Sequence, residues 1–319
     1  MENIIIDTDL GFDCDDGGAL LIANKFHNKK LFNLLAVTHC VDKLCGANAI
    51  KFINEYYGNP QILVGLSDNY AFDVDNLYEE FFAKLKYRED FCGFTEKPSF
   101  YKLIDGAFDK GVLEKDNTYK SSSGLIKDVL MTAEDNSITL VCIGQLNTLA
   151  KLVCEDYSLL SRKLKKAVVM CGNFKQDGEY YDDGETLWHG EFNVIMDVNS
   201  AKKVVNDVDL PIDFVDYNQG DDVLTGKTLN EDENSPVFSM YKIHGKGGEC
   251  SSWDIVALLW ASDCYNDLFE VSNYGKAKVV GRGKTEFYLE NGRHRLVTIK
   301  KDSKIQLKNL INNIFSKGY

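Results

Sequence analysis

Five aspartates fall within ten residues near the start of the chain, in Ile4-Ile5-Ile6-Asp7-Thr8-Asp9-Leu10-Gly11-Phe12-Asp13-Cys14-Asp15-Asp16. The β-branched run Ile4 to Ile6 reads as a buried strand, and a helical pattern begins at about Asp16. A strand therefore delivers a bundle of carboxylates to one place. Like charges a few ångströms apart repel and drive some carboxylates toward protonation. The positive end of the following helix dipole offsets a little of that, and a bound hard cation offsets far more. Gly11 permits the sharp turn that folds oxygens inward. Aspartate is common in a first helical turn, but five carboxylates exceed what capping requires.

A second chemical cluster is Ser251-Ser252-Trp253-Asp254-Ile255-Val256-Ala257, where Asp254 opens an apolar helix. A third is Glu191-Phe192-Asn193, whose carboxylate and amide offer an acceptor and a donor to sugar hydroxyls. His244 lies in a glycine-rich loop upstream of Trp253, and His39 and Asp42 follow the second strand.

The elements that must position these residues alternate. Leu31 to Val37, Gln61 to Val64, Ser137 to Ile143, Lys166 to Gly172 and Pro211 to Val215 read as strands. Helical segments lie between them, at 19–26, 46–57, 121–132 and 200–208. This is the pattern of an α/β fold with a mostly parallel, doubly wound sheet flanked by helices. In such sheets ligands bind beyond the carboxyl ends of the strands, where the Asp7 to Asp16 loop falls. Phe269 to Lys300 alternates between glycine turns and reads as short antiparallel strands, and 302–315 as a closing amphipathic helix. Residues 67–120 carry no catalytic pattern. With no repeat and no linker-like run, the 319 residues read as one domain.

A net charge of −13 lacks the basic footprint of nucleic-acid binding and suits a small, roughly neutral substrate. No apolar run reaches the length of a membrane span, and the N-terminus is unlike a basic secretory leader. Nine cysteines without a Cys-x-x-Cys pair read as reduced thiols, several of them packed as small hydrophobes. A cytoplasmic protein is expected.

From Asp7, the pattern Asp-Thr-Asp-x-Gly-x-Asp-x-Asp-Asp-x-x-Ala-Leu resembles the N-terminal signature of the calcium-dependent nucleoside hydrolase family, in a form with two extra residues before the Asp-Asp pair. Further segments are similar in the same order. Ile53 to Pro60 with Val64-Gly65 matches one. Gly144-Gln145-Leu146-Asn147-Thr148-Leu149-Ala150 resembles the family's Gly-Pro-Leu-Thr-Asn-Leu-Ala, with Gln145 for proline and Asn147-Thr148 in swapped order. The strand ending at Gly172 carries Cys171 in place of a family glycine, and Glu191-Phe192-Asn193 matches Glu-Phe-Asn. Glu185 stands where an asparagine often sits. Many members of the family carry His-Asp at this position, whereas Trp253-Asp254 has the form shared by a purine-preferring branch and a large bacterial branch.

The resemblance implies hydrolysis of an N-ribosidic bond through an oxocarbenium-like transition state. It implies Ca2+ held by Asp9, Asp16, the main-chain carbonyl of Asn147 and Asp254, with Asp9 as general base toward a water that the metal acidifies. Asp15, Glu191 and Asn193 would grip the sugar, with Asp42 a further candidate, and Asp7 would brace the loop. The role of Asp13 stays open. Trp253 would stack on a purine, and His244 is a candidate acid for the leaving base. The partners implied are a small-molecule nucleoside and further copies of the chain, as homodimer or homotetramer. Two other readings stand beside this one. A haloacid dehalogenase-like phosphatase also opens on strand and Asp-x-Asp, but Gly11 stands where that family wants Thr or Val. A non-catalytic nucleoside- or ribose-binding relative would keep the sugar and metal ligands without leaving-group activation.

Overall fold

The structure, a computed structural model, describes residues 1–68, 118–175, 190–244 and 248–319, with the backbone alone at 181–182, 187–188 and 243. Most of the stretch 67–120, and Glu185, lie outside the described residues. In chain order the first half contains β1 (Glu2–Thr8), α1 (Asp15–Asn28), β2 (Phe32–His39), α2 (Leu44–Tyr56), β3 (Leu63–Leu66) and β4 (Lys120–Ser121). There follow α3 (Ser122–Thr132), β5 (Ile138–Cys142), α4 (Asn147–Lys163) and β6 (Leu164–Met170). Two short pieces, β7 (Tyr181–Asp182) and β8 (Leu187–Trp188), pair with each other. Next are α5 (Phe192–Met196), α6 (Val198–Asn206), β9 (Ile212–Val215), α7 (Tyr217–Gly220), α8 (Pro236–His244) and α9 (Trp253–Ala261). The chain ends with β10 (Phe269–Val271), β11 (Lys276–Val280), β12 (Lys284–Tyr288), β13 (His294–Ile299) and α10 (Lys304–Phe315).

Among the described residues the main sheet runs β10-β13-β9-β6-β5-β1-β2-β3-β4. Every neighbouring pair in it is parallel except β10 with β13. The connections leave β1 in both directions, toward β2 on one side and β5 on the other. The crevice at the carboxyl ends of β1 and β5 is thus the topological switch point, the place where such sheets bind ligands.

The strand at the centre shows why these residues form it. Ile4, Ile5 and Ile6 have no exposed surface. Ile4 and Ile6 enter the apolar layer built with α1, α9 and α10, while Ile5 enters the opposite layer with α3, α4 and α6. Alternation of side chains across a doubly covered strand gives this division, and it asks for a continuous apolar run. The β11–β12 hairpin and β10 are antiparallel, as the C-terminal sequence pattern suggested. β13 is antiparallel to β10 on one side and parallel to β9 on the other, and so joins the main sheet. Alternation marks a strand's two faces and is silent about the direction of its neighbour.

Helix α1 is held close to α8, α9 and α10 at Gly18. A Cβ there would lie 2.6 Å from the Tyr241 hydroxyl, 2.8 Å from Ile255 Cδ1 and 2.9 Å from the Phe315 ring. This close approach brings the N-terminus of α1, with Asp15 and Asp16, to that of α9, with Asp254. Gly18→Val should therefore overpack the junction and cost about 1–3 kcal/mol, read as a lower urea midpoint at unchanged slope. Gly318→Val, where a Cβ meets nothing within 4 Å, is the control. A Gly18→Val midpoint equal to that of the unsubstituted chain would contradict the packing described.

Candidate active site

The end of β1 and the start of α1 form one side of the site. Gly11 turns the connecting loop with a φ of 131°, a backbone conformation open to glycine. Asp7, Asp9, Asp15 and Asp16 are buried, and Asp13 is half-buried. Asp254, in the first turn of α9, is buried opposite them. Carboxylate oxygens of Asp13, Asp16 and Asp254 lie within 4.8 Å of one another. The structure thus gives Asp13, whose role the sequence left open, a place in the cluster. Asp13 precedes the first residue of α1, so the path of the loop, rather than helical spacing, brings it there.

Hydrogen bonds fix the surroundings. The Thr38 hydroxyl donates to Asp7 Oδ1 at 2.5 Å, and the Thr8 hydroxyl donates to Asp16. The Asp254 amide donates to Asp15 Oδ2 at 3.0 Å, so Asp15 ties α1 to α9. Glu191 caps α5, its carboxylate accepting from the amides of Asn193 at 2.8 Å and Gly172 at 2.9 Å. Asn193 donates to the Met170 carbonyl at 3.0 Å. Phe12 and Phe192 meet edge to face at 5.3 Å, joining the aspartate loop to α5.

Burial is the first cause of a raised pKa at Asp9, Asp15, Asp16 and Asp254, and neighbouring carboxylates come next. Asp13 acts on all four, and Glu191 on Asp9 and Asp254. Asp13 also lies where it can share a proton with Asp15 and with Asp16. Burial pushes Asp7 up to about 7, although the Thr38 and Thr148 hydroxyls work against it. No lysine or arginine of the described residues is among the principal influences on these five. A buried, all-anionic set of hard oxygens without a cationic side chain fits a hard divalent cation.

The turn after β5 closes the site from the other side. Gly144 lies flat on Asp9, since a Cβ there would be 2.8 Å from the Asp9 amide nitrogen and 2.7 Å from Cys40 Sγ. Asn147 donates from Nδ2 to the Cys40 carbonyl at 2.8 Å, and its buried Oδ1 has no partner among the described residues. Both polar atoms of buried Gln145 are likewise unpartnered.

The remaining sequence candidates sit apart or in altered settings. Trp253 stacks on Tyr217, ring centroids 5.6 Å apart at 26°, and its buried indole N–H has no acceptor among the described residues. Tyr217 was not singled out in the sequence, and its only signal is its place just after β9. His244 ends α8, half-buried, and is not among the principal influences on the carboxylates. Asp42 is exposed on the β2–α2 connection and acts on His39. His39 is buried with its ring nitrogens 2.7 Å from the Val41 carbonyl and 3.0 Å from the Leu10 carbonyl, so it braces the aspartate loop.

The sequence model of the inosine-uridine preferring nucleoside hydrolases matches residues 4–306. This chain belongs to that family. Solved structures agree in fold. A plant nucleoside hydrolase superposes with a TM-score of 0.71 at 16% identity, covering 99% of each chain. An inosine-uridine preferring nucleoside hydrolase from Bacillus anthracis gives 0.68 at 17% identity, covering 98% of this chain and 100% of that one. A purine-preferring ribonucleoside hydrolase from Gardnerella vaginalis gives 0.66 at 17% identity, covering 98% and 99%. Among curated proteins no sequence matches this chain. Membership makes the chain an enzyme that hydrolyses the N-glycosidic bond of nucleosides, within a metal-dependent family. No helix among the described residues is long and apolar enough to cross a membrane.

The raised carboxylates set a pH dependence. A carboxylate whose folded pKa exceeds its unfolded value keeps its proton in the cation-free fold, and that stability is lost as pH rises through the folded pKa. For Asp7 the window runs from the ordinary 3.8 to about 7. A cation takes the place of such protons, so its stabilising effect grows as they leave. The rise in melting temperature on adding Ca2+ over chelator should therefore increase steadily from about pH 5 to pH 8. An increment that is flat or falls across this range would contradict the electrostatics of the site.

Proposed function

We propose that this nucleoside hydrolase uses Ca2+ and favours purine ribonucleosides, releasing ribose and free base. The observation that carries the reading is the convergence of Asp13, Asp16 and Asp254 at the switch point of the sheet, beside buried Asp9. Asp9, Asp16, Asp254 and Asn147 would hold the cation, with Asp13 added to the set. When bound, the cation supplies the positive charge that acidifies a water and grips the ribose diol.

Asp9 is the general base, taking a proton from the attacking water. Its carboxylate is buried beside Asp13 and Asp16, at the place where the cation would hold the attacking water. Asp15, Glu191 and Asn193 line the sugar, while Asp7, held by Thr38, keeps the loop in place. Trp253 and Tyr217 form a flat aromatic pair suited to a bicyclic base, which supports the purine preference. His244 stays a candidate acid, and Asp42 a candidate sugar contact from its exposed place. A cytoplasmic location and a homodimer or homotetramer complete the reading; the eight described cysteines are free thiols.

The test is base release from inosine, adenosine, guanosine, uridine and cytidine, with Ca2+ and with chelator. Purines should be cleaved faster than pyrimidines and chelator should abolish release. Asp9→Ala should lower kcat by a factor of about 10²–10⁴. Base release unchanged in chelator would refute the cation's role. Cation binding with no release from any nucleoside would favour a binding protein over an enzyme.

A further inference from the structure

Asn147 is where the cation-dependent reading above can be taken further. The resemblance in sequence assigned its main-chain carbonyl to the cation. In the structure Asn147 is the first residue of α4. A carbonyl in a first helical turn points along the axis, toward the amide four residues on, away from whatever faces the helix N-terminus. The preceding carbonyl, of Leu146, accepts from the Ala150 amide at 2.8 Å. The N-terminus itself faces the carboxylates, since Gly144 lies flat on Asp9.

The side chain behaves differently. Its Nδ2 donates to the Cys40 carbonyl at 2.8 Å. That bond fixes which way the amide is turned, because an oxygen placed there would meet another acceptor. Oδ1 is left buried with no donor. An orphaned buried carbonyl oxygen costs about 1–3 kcal/mol, so its retention points to a ligand. Cys40, against which the amide rests, counts Asp7, Asp9 and Asp16 among the principal charges acting on its thiol. Amide oxygens are ordinary ligands of hard cations.

We infer that Asn147 ligates the cation through its side-chain Oδ1, in place of a main-chain carbonyl. The swapped Asn147-Thr148 order then has a chemical consequence. The ligand passes from the backbone, which any residue supplies, to a side chain, which few residues do.

Tb3+ luminescence tests this without catalysis. Decay rates in H2O and D2O count the waters on the ion, and Ca2+ competition confirms the site. Asn147→Ala and Asn147→Ser, both lacking an oxygen of the required reach, should bind at least about tenfold more weakly than wild type and carry about one more water. Asn147→Asp keeps an oxygen in place and should keep the wild-type count. It also loses the amide donor to Cys40, so the count separates ligation from that hydrogen bond. Wild-type affinity and count in the Ala and Ser chains would return the role to the backbone and overturn the inference. Should circular dichroism show neither of them folded, an extra water in Asn147→Asp overturns it and tighter binding at the same count upholds it. A wild-type chain that binds no Tb3+ and no Ca2+ would instead remove the cation-dependent reading itself.

Discussion

Repulsion among buried carboxylates is the constraint on which the rest of the structure depends. Asp7, Asp9, Asp15, Asp16, Asp254 and Glu191 are all buried, and half-buried Asp13 adds to them. Burial and mutual repulsion raise the pKa of most of the group, so part of it is protonated when no cation is bound. The fold meets this with geometry. Helices α1, α4, α5 and α9 all begin at the site, and their N-terminal partial charges favour anions there. Threonine hydroxyls at 8 and 38 donate to Asp16 and Asp7, and backbone amides donate to Asp15 and Glu191. Dipoles of this kind lessen the repulsion, and a bound hard cation would lessen it further.

The same constraint explains the close packing around α1. Asp15 and Asp16 belong to one helix and Asp254 to another, so the spacing of their carboxylates depends on how near α1 and α9 approach. Gly18 sets that approach, and the Asp254 amide bound to Asp15 locks it. On the far side, His39 holds the aspartate loop from beneath through the Leu10 carbonyl. Burial lowers its pKa to about 4, so near neutral pH the ring is uncharged and donates its one N–H to one of the two carbonyls it faces.

Much of this was legible in the chain. The isoleucine run marks a strand covered on both faces, and the aspartates after it mark a strand-to-helix turn. Asp254 was readable as opening a helix, and it does; that Glu191 caps one as well was not. What the sequence could not show depends on directions in space. The parallel pairing of β13 with β9 leaves no trace in a period-two pattern. Tyr217 is an ordinary aromatic residue until α9 brings Trp253 onto it. The membership of Asp13 and the free oxygen of Asn147 depend on loop path and rotamer, which spacing alone does not determine. Trp253 was expected to stack on a purine; nothing in the sequence hinted that one side of its ring pairs with Tyr217.

The most direct measurement of the central claim is a crystal structure grown with Ca2+ and ribose. The account predicts one cation among Asp13, Asp16 and Asp254, with oxygen distances of about 2.3–2.6 Å and the ribose diol turned toward it. A site that stays free of cation at millimolar Ca2+, with the carboxyls paired to each other through protons, would contradict it.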